Sequence, residues 1–211
     1  LHKITFQYMI RSLIYSCLAF TLIIFSSCNT SSQKEERDKL ETYTSKEIGW
    51  TIEIPQGFKL TSQIKRDADD QKGKEAIAKV YEGELKIDTL RHLVSFMKNQ
   101  FNSFDSTIEP YEETAPGEYA ANNLLIHKLI FDTYHKQGIK IDTSSAKINL
   151  KGQIFNAFYI KIFGPNGEVA LNQIMYNKMI KGYDFGVNIN YNNEEDKNTL
   201  ISAFMRSNLD K

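Results

Sequence analysis

Residues 183–191 read Tyr-Asp-Phe-Gly-Val-Asn-Ile-Asn-Tyr, and this stretch decides the fold. Large side chains occupy every second position, and small or polar side chains occupy the positions between them. Because successive side chains of a β-strand point to opposite faces of a sheet, this period of two predicts a strand with one apolar face. Such a face must pack on helices or on a second sheet.

Two more strands are predicted directly before this one, so that residues 153–191 form an antiparallel meander. The first of them spans residues 154–163 and is followed by Gly164-Pro165-Asn166-Gly167. Proline at the second position and glycine at the last position are typical of a β-turn. The second spans residues 169–176, where larger and smaller side chains again alternate.

Further elements are predicted before the meander. Alternation in residues 50–54, Trp-Thr-Ile-Glu-Ile, predicts a strand that ends at Pro55, because proline has no backbone N–H to donate. Residues 62–81 are rich in Lys, Asp, Gln, Glu and Ala and predict a helix that is weakened or broken at Gly73. The apolar residues within 93–104 predict an extended segment.

One helix is predicted on each side of the meander. In residues 119–137 apolar side chains recur at helical spacing, and Gly138 is a typical stop. Residues 139–150 then return as a strand. After residue 191 the acidic run 194–196 opposes the dipole of a closing helix. Helices before and after an antiparallel sheet predict an α+β fold with helices packed on the sheet.

Composition excludes some classes of function. Hydrophobic residues make up 41% of the chain and charged residues 25%, which is ordinary for one globular domain with a leader. The 26 basic and 26 acidic residues balance, so we expect no nucleic-acid partner. Both cysteines, Cys17 and Cys28, lie near the N-terminus, and the rest of the chain therefore cannot hold a disulfide framework.

The N-terminal residues have the pattern of a bacterial lipoprotein signal peptide. Arg11 precedes an apolar run, Leu13–Phe25, which is long enough for a signal-peptide core and short for a membrane span. Ser26-Ser27 then leads into Cys28, which resembles a lipobox, where the cysteine thiol is lipidated after cleavage. We expect a signal peptide over residues 1–27 and a lipid anchor at Cys28. An ordinary secretory signal and a buried helix remain alternatives.

The sequence also predicts how the domain is tethered. Met9 would give a more compact leader than Leu1, so the true start is open between them. Residues 28–44 have few apolar side chains and predict a flexible tether, with the folded domain over residues 45–211. Residues 34–36 resemble a surface-export signal, and a solvated charged tether is the alternative. We expect a lipid-anchored location in the cell envelope, at the outer membrane, on the periplasmic side or at the surface.

Residues 50–58, Trp-Thr-Ile-Glu-Ile-Pro-Gln-Gly-Phe, resemble the first strand of PsbP-like domains. In those domains a strand runs into Pro-x-Gly-aromatic, and a helix, strand, meander and closing helix follow, as predicted here for about residues 45–209. The resemblance implies an α/β/α sandwich of the kind found in DcrB-type envelope lipoproteins. Members of this superfamily mostly bind partners and share no catalytic residue, so the resemblance implies no catalytic site and no cofactor.

Histidines are the first candidates for a reactive site. Of His92, His127 and His135, the last two lie eight residues apart on a predicted helix, with Asp132 between them. That spacing is about 12 Å along a helix axis, too far for both rings to bind one metal ion. The sequence has no HExxH pair, no Gly-x-Ser-x-Gly elbow and no phosphate-binding glycine loop. We expect no catalytic residue and no metal ligand.

Acidic and aromatic residues supply the remaining candidates. The loop 109–118 could hold Ca²⁺ through the carboxylates of Glu109, Glu112, Glu113 and Glu118, but it lacks the ligand spacing of a dedicated calcium loop. We therefore favour a solvated acidic loop. Six tyrosines are candidates for a recognition surface, but we favour the interpretation that they belong to the core. They are Tyr111, Tyr119, Tyr159, Tyr176, Tyr183 and Tyr191.

Two hypotheses of function follow. The favoured one is a membrane-anchored, non-enzymatic envelope lipoprotein whose domain binds an envelope protein or ligand. The alternative is an envelope hydrolase or metal-dependent enzyme with a site assembled from residues that are scattered in the sequence. Converging His, Asp or Glu side chains in an apolar cleft would favour the enzyme, and a filled core with an aromatic patch would favour the binding module.

Overall fold

The structure, a computed structural model, describes residues 41–78 and 89–210. The predicted signal peptide, Cys28 and most of the predicted tether lie outside the described residues. The helices within them are α1 (Gln63–Ala78), α2 (Glu118–Lys136) and α3 (Glu194–Arg206). The strands are β1 (Thr42–Ser45), β2 (Trp50–Glu53), β3 (Lys59–Leu60), β4 (Arg91–Asn99), β5 (Asn102–Pro110), β6 (Ile141–Leu150), β7 (Gln153–Phe163), β8 (Val169–Ile180), β9 (Tyr183–Tyr191) and β10 (Asn208–Leu209).

The main sheet is antiparallel and has the strand order β3-β4-β5-β9-β8-β7-β6. Its last four strands, β6 to β9, form a continuous meander, which confirms the prediction for residues 153–191. On β9 the side chains of Phe185, Val187, Ile189 and Tyr191 are buried, as the alternation predicted. The closing helix begins at Glu194, where the side chain of Asn193 accepts a hydrogen bond from the N–H of Asp196.

Both faces of the main sheet are covered. On β7, Phe155 and Ala157 belong to a large core cluster that includes Trp50 of β2 and Phe204 of α3. The alternate side chains Phe158 and Ile160 pack with Ile130 and Tyr134 of α2 on the opposite face. Because β7 contributes to both clusters, α3 and the small sheet lie on one face and α2 lies on the other. This layering confirms the predicted α+β class.

A second, three-stranded sheet has the order β1-β2-β10. It places the indole of Trp50 against Phe104, with ring centroids 6.3 Å apart, and against Phe185 at 4.9 Å. Trp50 Nε1 donates a hydrogen bond to Ser207 Oγ at 3.0 Å. Trp50 is fully buried and is the only tryptophan of the chain, so its fluorescence reports directly on the state of this core.

Several predicted elements differ in detail from the structure. β1 begins at Thr42, so the folded part starts before residue 45; its threonines carry no hydrophobic pattern, and the strand exists because its backbone pairs with β2. Helix α1 runs unbroken through Gly73, where glycine costs only about 1 kcal/mol. The segment 93–104 is a hairpin of β4 and β5, because the side chain of Asn99 accepts backbone hydrogen bonds and closes a turn.

Candidate functional site

Helix α1 is attached to the sheet through His92. The Nε2 atom of His92 lies 2.9 Å from Asp70 Oδ2 on α1, and its Nδ1 atom lies 2.9 Å from Asp105 Oδ1 on β5. The hydrogen bond with Asp105 is the main cause that raises the pKa of His92 to about 9; Asp70 adds to it, and partial burial opposes it. The imidazole is therefore protonated at neutral pH and donates from both nitrogens.

A polar cleft of about 520 Å³ lies between α1 and the sheet. Lys65, Arg66 and Lys72 of α1 line it together with the His92 cluster and with Asn188 and Asn190 of β9. Asn188 Oδ1 is buried, and no described residue donates a hydrogen bond to it. Since both cationic and anionic groups line this cleft, the charge of its lining points to no single class of ligand.

Ser95, His92 and Asp105 are the serine, histidine and aspartate that a hydrolase would need, and the fold brings them together. The hydroxyl of Ser95, however, donates a short hydrogen bond to Asp105 Oδ1 rather than to His92. A triad needs the histidine to accept the serine proton, which a protonated imidazole cannot do. The cluster therefore does not activate Ser95 as a nucleophile at neutral pH.

Metal binding is not supported by the same cluster. Asp70 and Asp105 lie against opposite nitrogens of the His92 ring, so the three side chains do not converge on one point. Within residues 41–78 and 89–210 no group of three or more His, Cys, Asp and Glu side chains has a geometry that could hold a metal ion.

The two histidines of α2 are engaged by aromatic rings. The imidazole of His127 stacks on Phe158 with a centroid distance of 3.8 Å, and burial lowers the pKa of His127. His135 stacks on Phe131 of the same helix at 6.2 Å. Neither ring forms a hydrogen bond or ion pair with another described residue. The structure thus places them on α2 as predicted, without a carboxylate partner.

Two acidic residues, Glu113 and Glu118, form hydrogen bonds around the start of α2. Its N-cap is Gly117, which has no side chain to accept the free N–H groups. Glu113 Oε1 accepts a hydrogen bond from the N–H of Tyr119, and Glu118 Oε2 accepts two from Thr114. The hydrogen bonds from Thr114 lower the pKa of Glu118. The carboxylates of Glu113 and Glu118 thus accept separate hydrogen bonds, and Glu109 lies apart from them on β5.

The six tyrosines divide into two groups. Tyr176 and Tyr191 are buried in the large core, and Tyr159 and Tyr183 pack partly against it. Tyr111 and Tyr119 instead form an edge-to-face pair, with centroids 5.3 Å apart, beside α2. The core interpretation is thus right for the sheet tyrosines, whereas Tyr111 and Tyr119 lie outside that core.

These two tyrosines line a groove of about 560 Å³ between α2 and the sheet, which we call the α2 groove. Leu125, Ile126 and Leu129 of α2 provide its apolar side. The polar residues that line it are Glu109, Asn122, Asn123, Lys128, Asp132 and Asp184. A concave, mainly apolar surface with a few placed polar groups is the usual form of a ligand site.

Asp184 is a half-buried carboxylate of the α2 groove. Its Oδ1 atom accepts a hydrogen bond from the Tyr119 hydroxyl at 2.7 Å. Burial raises the pKa of Asp184, the hydrogen bond from Tyr119 lowers it, and the nearby charge of Glu109 raises it further. Burial is also the main cause that raises the pKa of Tyr119. No local pattern in the sequence points to Asp184, because its position across from Glu109 depends on the β5–β9 register.

None of the helices described within residues 41–78 and 89–210 is both long and apolar enough to cross a bilayer.

His92 gives the structure a pH dependence that can be measured. A folded-state pKa of about 9, above the unfolded value of 6.5, stabilises the fold fully below pH 6.5, and this stability is lost as the pH rises through 9. We expect His92→Gln to lower the free energy of unfolding by about 1–3 kcal/mol at pH 6. Urea unfolding followed by Trp50 fluorescence between pH 6 and 10 measures both effects.

The matched control for this prediction is His127→Gln, because His127 has no carboxylate partner among the described residues. That variant should keep the loss of stability toward pH 9, whereas His92→Gln should lack it. Parallel pH profiles of the wild type and His92→Gln would contradict the assignment.

The sequence matches no family model and no curated protein. The fold, however, is similar to the solution structure of cyanobacterial PsbP (CyanoP) from Synechocystis sp. PCC 6803. The TM-score is 0.55 at 10% sequence identity, and the match covers 88% of this chain and 98% of that chain. At this identity the likeness concerns the fold, and it confirms the resemblance found in residues 50–58. The folded part of the chain therefore has a PsbP-like fold.

Proposed function

We propose that the protein is an envelope lipoprotein, anchored through Cys28, whose PsbP-like domain is a non-catalytic binding module. The observation that carries the proposal is the α2 groove, with its apolar wall, its tyrosine pair and its buried carboxylate. Grooves of this size and composition accommodate small ligands or single side chains of a partner. The His92 cluster, in contrast, lacks the geometry of a hydrolase, which supports a non-catalytic role.

The anchor part of the proposal rests on residues 1–28. An apolar run, small residues and a cysteine in this order are typical of lipoprotein signals. Lipidation with two or three acyl chains would hold the mature protein durably at a membrane surface, since each buried methylene contributes about 0.8 kcal/mol. From Cys28 to Glu41, a flexible tether would span about 20 Å. The groove would therefore act within reach of the envelope membrane.

The binding part is tested at Leu125, which lines the α2 groove and is 63% exposed. We expect Leu125→Asp to leave the stability within about 0.5 kcal/mol, because surface substitutions rarely change it more. The same change should reduce the partner captured by the full chain from detergent-solubilised envelopes by about tenfold, since it places a charge in the apolar wall.

Leu60 provides the matched control, because it is also exposed, at 50%, and lies outside the groove. Leu60→Asp should retain the partner at the wild-type level. If both variants capture the same components in the same amounts as the wild type, the α2 groove is not the binding surface and the proposed module loses its support.

A further inference from the structure

We propose that the α2 groove binds an organic cation, an ammonium or guanidinium group on an apolar stem, with Asp184 and Glu109 as its counter-charges. The inference rests on the proposed function and adds the chemical class of the ligand. It follows from the charges, the aromatic rings and the apolar wall of the groove.

Among the described residues, the side chains that line the α2 groove carry a net negative charge. Three acidic side chains line it, Glu109, Asp132 and Asp184, and one basic side chain, Lys128. Lys128 forms an ion pair with Asp132 one helical turn away, so these two charges offset one another. Among the described residues, neither Glu109 nor Asp184 has an ion-pair partner.

Glu109 and Asp184 are direct cross-strand neighbours on β5 and β9. Like charges in such positions repel, and burial of Asp184 strengthens the repulsion because the local dielectric is low. The groups that meet them are uncharged: the Tyr119 hydroxyl donates to Asp184, and the Thr89 hydroxyl donates to Glu109 at 2.7 Å. Each carboxylate can accept further hydrogen bonds. A bound cation would donate these hydrogen bonds and would also relieve the repulsion between the two charges.

The aromatic pair and the aliphatic wall define the rest of the ligand. Tyrosine rings attract a cation placed over their faces, and this attraction grows when the cation leaves bulk water. The hydroxyl of Tyr111 is held by Asn122 Nδ2 at 2.9 Å, and that of Tyr119 by Asp184, so both rings are fixed in position. Ile126 and Leu129 offer an apolar surface to the stem. An anion would meet repulsion here, and an uncharged polar molecule would leave both carboxylates without a counter-charge.

The test uses the full mature chain in neutral detergent, with the tyrosine rings labelled with ¹³C for NMR titration. Butylammonium and butylguanidinium are the cationic probes, and 1-butanol and butyrate are the uncharged and anionic probes. We expect the cations to shift the resonances of Tyr111 and Tyr119 with a Kd of about 1 mM, an ordinary affinity for so small a ligand. Butanol and butyrate should bind at least about tenfold more weakly.

Two variants assign the counter-charges. Asp184→Asn keeps an acceptor for the Tyr119 hydroxyl and removes the charge, and Glu109→Gln does the same at the second position. Each should weaken binding of the cationic probes about tenfold. Asp142→Asn on β6 changes the net charge of the chain equally but lies outside the groove, so it should leave the Kd unchanged. Trp50 fluorescence verifies that each variant is folded.

The source of the cation is resolved with a blocked tripeptide, acetyl-Ala-Lys-Ala-amide. Tighter binding of the tripeptide than of butylammonium assigns the site to a side chain of a polypeptide, and weaker binding assigns it to a free amine. Butanol or butyrate binding as tightly as the cations would overturn the cation assignment and leave the binding module standing. A groove that binds none of the probes would overturn the cation assignment, and the proposed function is then decided separately by the Leu125→Asp capture.

Discussion

Val187→Asp is expected to lower the free energy of unfolding by about 3–5 kcal/mol at neutral pH, because it buries an unpaired carboxylate. Val187 is 2% exposed within the large core. Its cross-strand neighbours are Ser106 and Tyr176. The Ser106 hydroxyl already exchanges hydrogen bonds with the backbone of Val94 and has no proton to donate to the new carboxylate. Urea unfolding followed by Trp50 fluorescence measures the loss.

The pH dependence of this variant provides a second check. Burial favours the neutral form of the new carboxyl and raises its pKa. The stability difference between the wild type and Val187→Asp should therefore shrink as the pH falls from about 7 to about 5. A difference that stays constant over this range would show that the carboxylate has found a partner or has reached water.

Asn188→Ala is the matched control at the next position of β9. Asn188 lies on the opposite face of the sheet from Val187, and its buried Oδ1 has no hydrogen-bond donor among the described residues. Its removal should cost less than about 1 kcal/mol. Aspartate at this position is a poor control, because Asp105 lies directly across on β5 and like charges would meet. Equal losses in Val187→Asp and Asn188→Ala would mean that the assignment of the two faces is wrong.

Cys28→Ala is expected to abolish lipid labelling and membrane retention, the largest effect predicted outside the folded domain. Cys28 is the cysteine that follows the apolar run at lipobox distance, and a thioether to lipid cannot form on alanine. Without acyl chains the mature protein loses about 0.8 kcal/mol of membrane affinity for every methylene that the lipid would bury. Labelling with radioactive palmitate and fractionation of membranes measure the two effects.

Cys17 supplies the matched control, since it is the other cysteine of the chain and lies inside the apolar run. Cys17→Ala should take up palmitate like the wild type and remain with the membranes. Palmitate uptake and membrane retention that persist in Cys28→Ala would exclude the lipoprotein assignment. They would leave the PsbP-like domain and its groove unaffected.

Strands with a hydrophobic period of two were predictable, because the alternation of apolar and polar side chains shows which face of the strand is buried. The meander around Val187 and the strand at Trp50 are of this kind, and so is the polar N-terminus of α3 at Asn193. Strand β1 was not predictable in the same way. Thr42 and Thr44 pair with β2 through their backbones, and backbone pairing leaves no hydrophobic signature in the sequence.

The candidate sites depend even more than the strands on contacts between residues that are distant in the sequence. The sequence shows no catalytic motif around His92. The contacts of His92 with Asp70 and Asp105, however, join residues of three separate elements. Asp184 lay in the alternating stretch that predicted β9, on its polar side. Its proximity to Glu109 depends on how β9 pairs with β5, and no local pattern specifies this register.

The sequence by itself determined the three helices, the strand at Trp50, the meander with its apolar face, the PsbP-like resemblance and the prediction of a lipid anchor at Cys28. These follow from local periodicity, turn residues and short motifs, which act over a few neighbouring positions. Only the tertiary structure decided that His92 links α1 to the sheet and that Tyr119, Glu109 and Asp184 meet in one groove. Contacts between distant residues depend on strand register and layer packing, which the whole chain decides together.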